Sequence, residues 1–132
     1  MNNPAFDHLR QRRACLRTMA NPAADHDRIS ILSGELPTSG LLGGGPVRVD
    51  LRYIADRDLI AAANLAEYFQ VAAQEPCESL EAYADLVLSD LTNELVPRWI
   101  WLRMQSSGHQ VIQQDRQPAW DNPGLLATID FS

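Results

Sequence analysis

Between Pro46 and Gln114 the hydrophobic period of the chain changes twice, and this limits the possible folds more than any other feature. Val47-Arg48-Val49-Asp50-Leu51-Arg52-Tyr53 alternates, the two-residue period of a strand, with Val47, Val49, Leu51 and Tyr53 on one face. Leu59, Ala62, Ala63, Ala66 and Phe69 then recur at helical spacing, with Asp56 or Asp58 as the expected cap. Pro76 breaks that helix. Ser79 is expected to cap a second one, whose stripe is Leu80, Ala84, Val87, Leu88, Leu91 and Leu95, and Pro97 ends it. Alternation returns at Trp99 to Met104, and Ser106-Ser107-Gly108 reads as the turn of a hairpin joining Arg98–Gln105 to His109–Gln114.

Upstream, Asp27 to Ser33 reads as a short strand with Ile29 and Ile31 on one face, and Gly34 to Pro46 as a loop. The run Gly43-Gly44-Gly45 is a flexible connection, since no Lys-Ser or Lys-Thr follows it as in a phosphate loop. The chain thus divides into an N-terminal arm or short helix (1–20), one domain (21–114) and an extended tail (115–132), in which Trp120 and Phe131 are expected to anchor on apolar surface. The order strand, strand, helix, helix, strand, strand specifies an α+β fold: a four-stranded antiparallel sheet with two helices on one face. Arg48, Asp50 and Arg52 are expected to form a wet face on the second strand. Trp99, Trp101 and Arg103 oppose Ile100, Leu102 and Met104 on the third, so both of its faces are largely apolar. One face can cover the helices; the other, and the open edges of so small a sheet, call for a closed homo-oligomer.

At 132 residues the chain suits a single core. It has no apolar run near the roughly 20 residues of a membrane span, and no apolar stretch behind its N-terminal arginines, so no membrane partner and a cytoplasmic location are expected. A net charge of -6 argues against a nucleic-acid partner held through phosphates. Arg10, Arg12, Arg13 and Arg17 are expected to solvate one side of the arm, opposite Phe6, Leu9, Leu16 and Met19. A polyanion-binding arm, or one that docks on another subunit, is the alternative. All eleven basic residues are arginine, which excludes Schiff-base catalysis and every site built on lysine. Cys15 and Cys77 read as free thiols. His8, His26 and His109 lack metal-ligand spacing, so no metal is expected.

Several short segments resemble one family. Asn21-Pro22-Ala23-Ala24-Asp25-His26-Asp27-Arg28-Ile29 is similar to an N-P-x-x-D-R-D-Y segment, and Leu51-Arg52-Tyr53-Ile54-Ala55-Asp56-Arg57 to I-x-Y-x-P-D-x. Ser89-Asp90-Leu91 and Val96-Pro97-Arg98-Trp99 are similar to D-D-L and D-P-R-W. These are motifs of 7-cyano-7-deazaguanine (nitrile) reductase of queuosine biosynthesis, a member of the tunnelling-fold (T-fold) superfamily, and they run in the same order from Asn21 to about Ile112. The resemblance implies a homo-oligomeric barrel holding a purine-, deazapurine- or pterin-like ring at subunit interfaces. It also implies a glutamate that accepts from the ring's adjacent N–H groups. That glutamate falls on Glu81, in a pair reading Leu80-Glu81 where the family has His-Glu. Read by itself, Glu81 is equally a first-turn acid favoured by the helix dipole.

The same resemblance shows what has gone. The family's C-P-x-T-G-Q-P-D segment places its nucleophilic cysteine on Thr38, or on Ser39 or Gly40 with a small gap, and no cysteine lies there. A hydroxyl without an adjacent base is a far poorer nucleophile. The E-S-K-S-L-K signature tied to substrate and NADPH becomes Ala61-Ala62-Ala63-Asn64-Leu65-Ala66, and an R-G-G becomes Ser106-Ser107-Gly108. The expectation is a divergent heterocycle-binding protein with a changed reaction and no assigned cofactor. Glu81, Asp50 and Arg52 are its candidate binding residues, and Thr38, Ser39, His26 and His109 are its catalytic candidates. A catalytically inactive assembly or regulatory subunit is one alternative. An active NADPH-dependent reductase drawing its thiol from Cys15 or Cys77 of a neighbouring subunit is the other.

Overall fold

The computed structural model describes residues 4–38 and 45–130, with side chains from residue 6 onward. Among the described residues, four helices and six strands follow in the order α1 (Pro4–Ala14), β1 (Thr18–Ala20), β2 (Ile29–Leu36), β3 (Val47–Ile54), β4 (Asp58–Ile60), α2 (Ala62–Ala72), α3 (Leu80–Leu95), β5 (Trp99–Ser106), β6 (His109–Arg116) and α4 (Pro123–Leu126). The fold is α+β. Its main sheet is four-stranded and antiparallel throughout, in the order β2-β3-β5-β6.

The alternation read from sequence decides which face of this sheet is buried. Val47, Val49, Leu51 and Tyr53 of β3, with Ile100, Leu102 and Met104 of β5, enter one core with Leu65, Tyr68 and Phe69 of α2 and Tyr83, Val87, Leu91 and Leu95 of α3. Ser79 caps α3 as expected, its hydroxyl accepting from Ala82 N–H at 3.0 Å. At the other end of α3, Val96 takes the left-handed conformation (φ 42°) that turns the chain toward Pro97. The β5–β6 turn is the expected hairpin: Ser106 pairs with His109, and Gly108 supplies the positive φ of 78°.

Several expectations need correction. β2 runs on to Leu36, so Gly34 lies in the strand rather than the loop. A Cβ on Gly34 would come within 3.0 Å of the Phe69 ring, and glycine is what allows α2 to lie so close to β2. Leu59 opens no helix. It pairs with Met19 in a two-stranded ribbon of β1 and β4, which a reading of local periodicity misses because its strands are three residues long and 40 positions apart. α2 therefore starts at Ala62 with no side-chain cap, and neither Asp56 nor Asp58 serves as one.

The arm is also organised differently. Phe6 and Met19 are exposed, whereas Arg12 is buried on α2 and α3. The inward-facing residues of the arm are Leu9, Arg12 and Arg13 on α1 and Leu16 just beyond it, and arginine is accepted there because the carboxylates of Asp90 and Glu75 lie beneath. The tail is not wholly extended either. It includes the turn of α4, and Trp120, Leu125, Leu126 and Ile129 fold back over Ile54, Trp99 and Trp101 on the helix-free face of the sheet. Part of the face assigned to a partner is thus covered by the chain itself. Phe131 lies outside the described residues.

Asp50 and Arg52 do not form a wet face; both are buried. Across the sheet Asp50 pairs with Arg103 and Arg52 with Trp101. Arg103 donates to Asp50 Oδ2 from Nη2 (2.9 Å) and Nε (3.2 Å), and the Arg52 guanidinium lies 4.8 Å from the Trp101 ring centroid. Cross-strand neighbours long enough to cover them, not solvent, surround these groups.

Candidate functional site

The sheet has two distinct ends, and they separate the candidate residues. At the end where β2 starts and β3 finishes sits a polar knot. Arg98 donates to Asp27 Oδ1 (3.0 Å), Asp56 Oδ1 (3.2 Å), the His26 carbonyl (3.1 Å) and the Ala24 carbonyl. Trp120 Nε1 and Asn122 Nδ2 both donate to Asp27 Oδ2 at 3.0 Å, and Gln117 Nε2 to Asp56 Oδ2 at 3.0 Å. Asn21 joins through the Asp56 carbonyl at 2.8 Å. Burial opposes ionisation of Asp27, but the donors from Asn122, Trp120 and Arg98 outweigh it and hold the carboxyl below its ordinary range. The Gln117 hydrogen bond, with Arg98, does the same for Asp56 despite burial. Asn21, Asp27, Asp56 and Arg98 come from the segments that carried the resemblance, and here they fasten the tail and the β2 entry together. His26 is at this end, its ring exposed and its carbonyl in the knot.

The opposite end holds Glu81, His109 and Thr38. Glu81 lies in the first turn of α3, which crosses the helix-side face of β6. His109 Nε2 lies 2.6 Å from Glu81 Oε1, and one turn further along Gln113 Nε2 donates to Asp85 Oδ1 at 2.7 Å. Both partners of the Glu81–His109 pair are about half exposed, at 55% and 50% of their side-chain surfaces. His109 also borders an open hollow of about 560 Å³, with Glu35, Arg48, Gln105 and Gln110 among its other walls. Thr38 is at the same sheet end but is engaged otherwise: it is buried, and its hydroxyl donates to the Gly45 carbonyl at 3.0 Å, bracing the β2–β3 connection. Ser39 lies outside the described residues.

The structure therefore unites Glu81 with His109 and separates them from the rest. His26 is a strand length away, on the order of 20 Å. Asp50 and Arg52 point to the helix-free face, opposite α3. Sequence reading found Glu81 and His109 separately but not their contact. They are 28 residues apart, and only the crossing of α3 over β6 brings them together.

A second cluster was missed altogether. Asp90, with none of its surface exposed, accepts from Arg12 Nε (2.8 Å), Arg13 Nε (2.9 Å) and the Tyr68 hydroxyl (2.6 Å), and Arg12 Nη1 donates to Glu75 Oε1 (2.7 Å). Burial first, and then the Asp90 charge, push the Tyr68 hydroxyl well above its ordinary range, so it remains a proton donor. Asp90 is thus held by three donors and shut off from solvent. The cluster's one sequence signal was two arginines on the helical stripe of Leu9 and Leu16.

Desolvation raises both Cys15 and Cys77 above the ordinary thiol range, the opposite of what activates a nucleophile. The residues present do not fit NADPH. The aligned α2 positions are alanines, with Ala62, Ala63 and Ala66 exposed and offering no cation or donor side chain. Among the described residues no three His, Cys, Asp or Glu side chains gather as a metal set, and no helix is long and apolar enough to cross a membrane. Compared with models of known families and with curated proteins, the chain matches none.

Proposed function

We propose that this chain is a divergent tunnelling-fold subunit that binds a flat nitrogen heterocycle of purine, deazapurine or pterin type through Glu81, where copies of itself meet. The observation that carries the reading is the state of Glu81. It is an ionisable first-turn carboxylate left half exposed and bound by a single movable side chain, whereas Asp27 and Asp90 are each bound by several donors. A carboxylate in that condition can accept two adjacent N–H groups of a planar ring. Two further features support it: two helices inserted between the halves of a sequentially ordered antiparallel sheet, and the positions of β2 and β6 at the sheet's two ends, where a second copy can add. A changed reaction, rather than nitrile reduction, fits the braced Thr38 and the desolvated thiols.

The test combines native mass spectrometry with thermal-shift titration against guanine, 7-deazaguanine and pterin. A homo-oligomer stabilised by one of these, with the effect lost in Glu81→Ala, is expected. A monomer that responds to none of them removes the reading. The exposed alanines of α2 favour a second reading, a catalytically inactive assembly subunit, which predicts the oligomer without the ligand effect. The active-reductase alternative predicts NADPH oxidation with 7-cyano-7-deazaguanine, and silence in that assay ends it.

A further inference from the structure

A planar ligand presenting two adjacent N–H groups needs both oxygens of one carboxylate. In the free chain one oxygen of Glu81 is already taken, with His109 Nε2 at 2.6 Å from Oε1. An ionised carboxylate only accepts, so Nε2 carries the hydrogen, as the neutral Nε2–H tautomer or as imidazolium. The ring is half exposed and belongs to an edge strand beside a two-residue turn, where solvent gives it room to swing away. We infer that His109 is a built-in competitor for Glu81, which the ligand must displace to use both oxygens. This inference rests on the heterocycle-binding reading of Glu81.

Glu81 is the carboxylate that His109 faces on α3, while Asp85 one turn along is already held by Gln113.

The test is isothermal titration of 7-deazaguanine and of pterin into the wild-type protein, His109→Ala and His109→Gln at one buffer condition. An exposed pair is worth little, so His109→Ala is expected to bind about threefold to fivefold more tightly than wild type. His109→Gln keeps a donor in place, and its affinity is expected to lie between the two. Equal affinities, or weaker binding by His109→Ala, overturn the competition and leave the heterocycle reading standing. Binding by none of the proteins removes both.

Discussion

Asp90 and Glu81 are carboxylates on the same face-forming helix, nine residues apart, and the protein uses them in opposite ways. Asp90 has no exposed surface and three donors, two of them from arginines that had to be brought in on α1. Glu81 is half exposed and has one donor, from an imidazole with room to leave. A buried charge must be fully partnered or it destabilises the fold, and a fully partnered charge has nothing left to offer a ligand. Capacity for binding is therefore found where partnering is incomplete and water still bears the cost of the charge. Asp27 lies between the two, partly buried with three donors.

If that gradation holds, substitutions along it should fall in order. Asp90→Asn removes the buried charge shared by Arg12 and Arg13 and leaves Arg12 with Glu75 alone, and is expected to lower stability by about 3 kcal/mol in urea unfolding. A loss below about 1 kcal/mol would mean that α1 is only loosely docked, and the contrast with Glu81 would collapse. Asp27 comes next, with pH as its probe. Its folded carboxyl titrates below the unfolded value of about 3.9, so the stability it confers is present above that value and lost as pH falls through the folded one. Between about pH 5 and pH 2 the wild type is expected to lose stability more steeply than Asp27→Asn. Parallel curves would show that the knot confers none of that acid sensitivity. Glu81→Ala stands last: its effect on unfolding at pH 7 is expected to stay within about 0.5 kcal/mol, as for other exposed pairs. A larger loss would make Glu81 a structural residue and return it to the class of Asp90.

Much of the scaffold was legible because its signals are local. The alternation of β3 and β5, the Ser79 cap, the stripe of α3 and the two-residue hairpin turn each follow from neighbours within a few positions. The failures also share a cause. Arg12 and Arg13 read as solvated because nothing near them in sequence announces Asp90, 78 and 77 residues away. Asp50 and Arg52 read as wet because their covers, Arg103 and Trp101, arrive from another strand. Leu59 fitted a helical period by spacing alone, whereas its backbone pairs with Met19.

The sequence by itself determined the order of elements, the apolar face of the sheet and the residue types available for chemistry, since periodicity and composition are properties of the chain. Tertiary structure decided which charges are used up and which remain usable, because burial and partnering depend on what distant segments bring. It closed the helix-free face partly with the chain's own tail, and it gave Asp90 three donors. It also set His109 against Glu81, an acid that sequence alone could not tell from an ordinary first-turn glutamate.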